Sequence, residues 1–235
     1  MKGDVRALEH RIIPPFPGVR ETALAAEENG EALLCIQKEC PEQFVCASAY
    51  FAQGLSGALE EIYIREGALE RLRKAAQALP EGYRFKLWDI WRPVAVQQAI
   101  FDAYAAEIAQ KQPALSKEEI FEETRKFVFP PGNDALFPPL HATGGAVDLT
   151  IVDERGEELE MGTGFDYFGD AAFPEYYEAP GRDERIRQNR RMLYFAMIDA
   201  GFIPDSVEWW HFNYGNSAWG KWTGNAPIYG GIFSL

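Results

Sequence analysis

The strand pattern from Ala146 to Val152 sets the strongest condition on how this chain folds. Val147, Leu149 and Ile151 fall on one face, and Ala146, Asp148 and Thr150 on the other. A charged side chain in an otherwise apolar strand is costly unless a partner holds it. If Val147 and Leu149 face the core, Asp148 faces a cleft, and the fold must bring it a partner. His141 precedes the strand by a short loop, in which Gly144 and Gly145 allow a tight turn. A second pairing of histidine with carboxylate comes much later, in Glu208-Trp209-Trp210-His211. A three-residue offset does not put two side chains on one face of a regular strand. A bulge, a helical turn or a strand end would bring both to the cleft.

Histidine and carboxylate are the ligand set of a catalytic zinc centre, with three protein ligands and a water in the fourth place. His141, Asp148 and His211 fill the three places, which leaves Glu208 free to move protons. Each segment alone has a plainer reading. Asp148 fits a capping or salt-bridging aspartate, and His211 fits a core histidine in an aromatic cluster. Arg92 ends an apolar strand at Trp91-Arg92-Pro93, where proline blocks continuation. Its guanidinium suits a developing oxyanion, and equally a salt bridge with Asp89. His10, the third histidine, has no carboxylate motif around it and reads as a surface residue.

Composition narrows the partners. With 235 residues, 47% apolar and 25% charged, the chain is long enough for a real core and too apolar to be disordered. A net charge of −13 argues against nucleic acid or an anionic membrane as partner. The three cysteines, Cys35, Cys40 and Cys46, match no zinc-knuckle or redox spacing. They read as free thiols in a reducing compartment, with a single disulfide left open. Charges stand where a signal peptide needs its apolar core, and no run approaches the roughly 18 apolar residues of a membrane helix. The expectation is a cytoplasmic protein.

The element pattern is α+β. Residues 1–20 read as an irregular, proline-bearing arm, and 31–52 as apolar and β-tolerant. Leu69, Leu72, Ala76 and Leu79 lie at helical spacing, and Pro80-Glu81-Gly82 ends that helix. Arg84 to Trp91 alternates as a half-buried strand. A long helix is expected from about Val94 to Gln112, and another after Ser116, with Glu119 completing a capping box. Loops follow at 129–145 and 162–182, with a turn at 153–156. Arg185 to Ala200 reads as a helix stopped by Gly201, and Glu208–Tyr214 as strand-like or irregular. No domain boundary is visible. The expectation is one catalytic domain over 1–235, with an arm at about 1–30.

Together these residues resemble the zinc D-alanyl-D-alanine dipeptidases of the vancomycin-resistance type, within a wider group of zinc D-peptidases that includes D,D-carboxypeptidases. The group's signature resembles His-x6-Asp followed by Glu-x-x-His, here His141, Asp148, Glu208 and His211. The dipeptidase branch resembles this chain at Asp89-Ile90-Trp91-Arg92-Pro93, at Met161-Gly162-Thr163-Gly164-Phe165-Asp166, and at Glu208-Trp209-Trp210-His211-Phe212. Asn189-Arg190-Arg191-Met192-Leu193 and Ala200-Gly201-Phe202 are similar to the helix before that ending. The likeness covers roughly residues 65 to 215. Pro139 stands where the family usually has a serine two residues before the histidine. A family tyrosine expected near residue 45 has no clear counterpart, since the Phe44 ring cannot donate a hydrogen bond.

The resemblance implies a central, mainly antiparallel sheet flanked by helices, with one zinc in a cleft. It implies Glu208 as general base and acid, Arg92 as the catalytic arginine on the oxyanion, and Asp166 as partner of the substrate's free amine. Gly162 and Gly164 would let the Asp166 loop approach a ligand, and Phe165, Tyr167, Trp209 and Trp210 would close the pocket around a D-containing dipeptide. Three other readings stand beside it. They are a D,D- or L,D-carboxypeptidase trimming longer cell-wall peptides, a zinc-binding protein without catalysis, and a metal-free structural domain.

Overall fold

The computed structural model describes residues 8–18 and 24–235, so the arm read over about residues 1–30 lies partly outside the described residues. The framework is a five-stranded sheet in the order β2-β4-β5-β7-β6. Its strands are β2 (Val45–Cys46), β4 (Arg84–Asp89), β5 (Ala146–Val152), β6 (Ile203–Pro204) and β7 (His211–Asn213). Only β2 and β4 run parallel; β4/β5, β5/β7 and β6/β7 are antiparallel. A separate antiparallel ribbon joins β1 (Leu33–Cys35) to β3 (Tyr63–Arg65). The protein is α+β, with a mainly antiparallel sheet.

One sheet face holds the main core. Phe85 and Leu87 on β4 stand opposite Ile151 and Leu149 on β5, and all four are fully buried. Helix α3 (Glu66–Ala76) adds Leu69 and Leu72, and helix α6 (Glu184–Ala200) adds Leu193 and Met197. Burying such side chains contributes roughly 1.5–3 kcal/mol each. Helix α3 is amphipathic, with Ala68, Leu69, Leu72 and Ala75 inward and Arg73 and Lys74 in its last turn, where they oppose the helix dipole. Asp183 caps the start of α6 by accepting from the Arg185 and Ile186 N–H groups. Gly201, at φ 104°, ends it in the left-handed region.

Helix α4 (Val94–Lys111) starts directly after Pro93 and packs against α5 (Lys117–Thr124). The expected capping box is present, with Ser116 accepting from the Glu119 N–H and Glu119 accepting from the Ser116 N–H. The β-tolerant segment 31–52 holds β1 and β2, with the short helix α1 (Ile36–Glu39) between them and the short helix α2 (Ala49–Ala52) after β2. One expectation needs correction. The strand at Arg84 is half-buried only at Arg84 and Lys86, because covering loops bury both faces from Leu87 onward.

The sheet register prepares the site. Leu87 pairs with Leu149, but the next pair is Asp89 with Asp148, so Trp88 is an extra residue in a bulge. The bulge turns Asp89 to the same face as Asp148. Asp148 in turn pairs with His211 on β7. Three polar side chains therefore stand in a row across adjacent strands, on the face opposite the main core.

Candidate metal centre and its cleft

His141 sits on a 3₁₀ turn, Leu140–Thr143, just before β5. Gly144 closes the turn at φ 71°, and a side chain at Gly145 would lie 2.2 Å from the Tyr214 carbonyl oxygen. Both glycines serve the tight passage that the sequence implies. Arg65, fully buried, holds the turn from behind: its Nε donates to the Thr143 carbonyl, and its guanidinium pairs with Glu28.

His141, Asp148 and His211 converge. His141 Nε2 lies 3.3 Å from Asp148 Oδ2 and 3.3 Å from His211 Nδ1, and His211 Nδ1 lies 2.9 Å from Asp148 Oδ1. Tetrahedral zinc with bonds of roughly 2.0–2.2 Å has its ligand atoms spaced by about 3.4 Å, so the three donors fit one ion. The remaining ring nitrogens are engaged elsewhere. His141 Nδ1 lies 2.8 Å from the Ile90 carbonyl oxygen and 3.1 Å from Asp89 Oδ2, and His211 Nε2 lies 3.1 Å from Asn213 Oδ1. Metal-binding histidines are held in this way, with the second nitrogen donating to a carbonyl or carboxylate.

Charge points the same way. Asp89 and Asp148 are buried, Asp166 and Glu208 line the cleft, and Arg92 is the fixed cation among them. Asp148, between the two imidazoles, is held below the usual carboxylate value, despite its burial, by His141, His211 and Arg92, and is the anionic ligand this set offers a divalent cation. Burial, and then Arg92, push His141 down to about 3 and keep it neutral. Burial works against charge on His211 too, but Asp148 outweighs it and holds the imidazole up at about 9.

Glu208 and His211 reach the site by a strand end. Glu208 lies in a turn closed by the His211 N–H to the Glu208 carbonyl, and β7 begins at His211. Glu208 Oε2 is 3.9 Å from His211 Nδ1, beyond hydrogen-bond range. Burial, then Asp205, raise its carboxyl to about 8. The cleft has room of roughly 250 Å³.

Arg92 is buried with its donors divided. Nε bonds Asp89 Oδ2 at 2.8 Å, Nη1 bonds Gln97 Oε1 at 2.7 Å, and Nη2 lies 3.3 Å from the Tyr50 hydroxyl and 3.6 Å from Asp148 Oδ2. The salt bridge with Asp89 and a place at the cleft wall are thus both present. Asp166 also lines the cleft. It accepts from Tyr50 at 3.2 Å, and burial followed by the Asp148 charge raises it to about 7.

Three expectations about the cleft are corrected. A tyrosine does reach the cleft: the Tyr50 hydroxyl bridges Arg92 and Asp166, while Phe44 belongs to the core. The placement comes from the short strand β2, whose parallel pairing with β4 carries the next helix to the Asp89–Arg92 end of β4. Gly162 and Gly164 do not face the cleft. Gly162 backs onto Tyr177, and it is Asp166 itself that adopts φ 58°, the left-handed region a non-glycine residue seldom enters. Trp209, Trp210 and Phe165 do not close the cleft either. Both tryptophans are buried, and Phe165 packs on Trp88 and Trp210. Tyr167 is exposed, and the apolar cleft wall comes from Ile100, Phe127, Val128, Phe129 and Phe168. Pro139 lines the cleft, as its place before His141 implies, and His10 is exposed.

The chain is similar to known proteins over most of this architecture. A D-alanyl-D-alanine dipeptidase of Synechocystis sp. is 32% identical over 174 residues, which span 66% of this chain and 70% of that one. A D-alanyl-D-alanine dipeptidase of Enterococcus faecium is 31% identical over 145 residues, 61% of this chain and 68% of that one. A solved vancomycin-resistance D,D-pentapeptidase in complex with Zn(II) aligns at 21% identity with a TM-score of 0.39, over 73% of this chain and 84% of that one. The family model described as D-ala-D-ala dipeptidase matches residues 42–226, which extends the likeness to β2 and Tyr50 at one end and α7 (Ser217–Thr223) at the other. The chain belongs to the D-ala-D-ala dipeptidase family.

Proposed function

We propose that this protein is a zinc metallopeptidase that hydrolyses D-alanyl-D-alanine or a closely related D-containing dipeptide. The observation that carries the proposal is the convergence of three metal-ligating side chains beside a carboxylate and a buried arginine, in a chain of this family. His141, Asp148 and His211 would hold the ion. When bound there, zinc supplies Lewis-acid chemistry: it polarises the peptide carbonyl and makes water a better nucleophile near neutral pH.

The chain's own residues do the rest. Glu208 takes a proton from the attacking water and passes it to the leaving amine. It lines the cleft beside the three converging side chains without bonding His211 Nδ1, which is where a group making both transfers must stand. Arg92 carries a permanent charge at the cleft wall, held by Asp89 and Gln97, and it faces the oxyanion that develops as the carbonyl is attacked. Asp166, joined by the Tyr50 hydroxyl, receives the substrate's ammonium group. Tyr50 also ties Asp166 to Arg92, so the amine anchor and the oxyanion anchor sit at a fixed separation. A cleft of roughly 250 Å³ suits a short substrate.

No helix among the described residues is long and apolar enough to cross a membrane. We place the protein in the cytoplasm, where three unpaired cysteines are stable, and its substrate among the products of cell-wall peptide turnover. Residues 1–235 are read as one catalytic domain.

The test is a hydrolysis panel with the zinc-loaded protein, using free and N-acetylated D,D-, L,D- and L,L-dipeptides. Cleavage of free D-alanyl-D-alanine is expected, with a loss of more than about a hundredfold in kcat/KM on acetylation, because the Asp166 carboxylate then faces an uncharged group. Comparable rates for the free and acetylated forms would favour a carboxypeptidase acting on longer peptides.

A further inference from the structure

On strand β7, Asn213 follows His211 by two residues, so both side chains leave the same face of the sheet. Asn216 then caps α7, its Oδ1 accepting from the Trp219 N–H at 3.1 Å. All three polar side chains are buried, with 5% or less of their surface exposed.

The hydrogen bonds among them run in one direction. Because Asn216 Oδ1 is committed to the helix N-terminus, Nδ2 is the atom that faces Asn213. It donates to Asn213 Oδ1 at 2.7 Å. Asn213 must therefore turn its oxygen toward Asn216, and the same oxygen lies 3.1 Å from His211 Nε2. This orientation leaves Asn213 Nδ2 buried without a hydrogen-bond partner among the described residues. Buried amides seldom leave a donor unmatched. The neighbours impose the orientation, and its consequence is that Nε2 is the His211 nitrogen that donates to Asn213, which leaves Nδ1 as the nitrogen turned toward Asp148 and His141.

We propose that Asn216 and Asn213 form a positioning relay that holds the His211 ring with its Nε2–H on Asn213 and so presents Nδ1 to the metal. The relay starts at a helix cap and ends at a ligand atom. It rests on the zinc-centre reading above. His141 is set in the opposite sense, since its Nδ1 faces the Ile90 carbonyl and Asp89, and Nε2 is the atom left for the metal.

Two isosteric substitutions separate this role from a merely structural one. N216D keeps an oxygen to cap α7 but loses the donor. The new carboxylate repels Asn213 Oδ1 and turns the amide over, which presents Nδ2 to His211 Nε2 and moves the ring proton to Nδ1. N213D keeps an acceptor for both His211 and Asn216. Each variant adds one negative charge in nearly the same place, so charge alone would tighten zinc binding in both.

The measurement is the zinc dissociation constant by chelator competition, with the melting temperature of the metal-free protein as a folding control. For N216D, affinity is expected to fall about 10–100-fold with the metal-free melting temperature little changed, and for N213D to stay within about threefold of wild type or rise. If N216D does not fold, N213L replaces it, since leucine offers no acceptor and should lose zinc by a similar factor. Unchanged zinc affinity in N216D, or equal losses in N216D and N213D, would overturn the relay; with N213L in its place, the same two outcomes decide. Wild type failing to bind one zinc would instead overturn the metal centre itself.

Discussion

At the scale of single residues, holding the metal and doing chemistry fall to different side chains. Glu208 is too far from His211 Nδ1 to bond it, yet it lines the same cleft. Glu208→Gln is expected to keep one zinc per chain and to lower kcat by ~10²–10⁴, the usual contribution of a general acid–base group. Metal analysis alongside turnover checks this, and loss of zinc with activity would make Glu208 a ligand. Arg92 needs a gentler substitution. Arg92→Ala would leave Asp89 and Asp148 buried without their cation, at a cost of about 3–5 kcal/mol. Arg92→Lys keeps the charge and loses the planar fork. It is expected to lower kcat more than it raises KM, and steady-state kinetics on a free dipeptide read that split. The convergence of His141, Asp148 and His211 was legible in sequence because histidines are scarce here and these two each stand near a carboxylate. Tyr50, Asn213 and Asn216 were not, since nothing in their local sequence marks a hydroxyl or amide as buried beside a distant strand.

At the scale of elements, helices with strong punctuation were legible and short strands were not. Asp183 with Gly201, and Ser116 with Glu119, mark helix ends by local chemistry that tertiary packing does not override. The bulge at Trp88 and the two-residue strand β2 depend on what lies across the sheet, so residues 45–46 and 88 carry no local trace of them. The support behind the His141 turn is another such case. Glu28 bonds Arg65 and the Gly30 and Gly230 N–H groups, tying the segment before β1 and the C-terminal segment to β3. Burial opposes ionisation of Glu28, but Arg65 and the backbone donors outweigh it and hold the carboxyl below its usual value of 4.5. On acidification the unfolded chain therefore takes up this proton before the folded one does. The stabilisation is complete above about pH 4.5 and is lost as pH falls through the folded value. Glu28→Gln is expected to lower the melting temperature at pH 7 by about 2–4 °C, since solvent screening keeps such a pair near 1 kcal/mol. The gap to wild type should narrow as pH falls below 4.5, and thermal melts across pH 3–7 check it. A gap independent of pH would show that the carboxylate charge plays no part.

At the scale of the whole molecule, the sheet divides the labour. One face carries the aliphatic core, and the other carries Asp89, Asp148 and His211 in a row under the cleft. The fold class and the side of β5 that faces the site followed from alternation alone. The cleft walls did not, because Phe127, Phe129 and Phe168 come from loops whose course depends on α4, α5 and the turn at Asp166. The most direct measurement is a titration of metal-free protein with zinc while D-alanyl-D-alanine hydrolysis is followed. No turnover is expected without metal, and the rate is expected to rise and level off at one zinc per chain. Full activity in the metal-free protein, or no hydrolysis of any D-containing dipeptide at one equivalent of bound zinc, would contradict it.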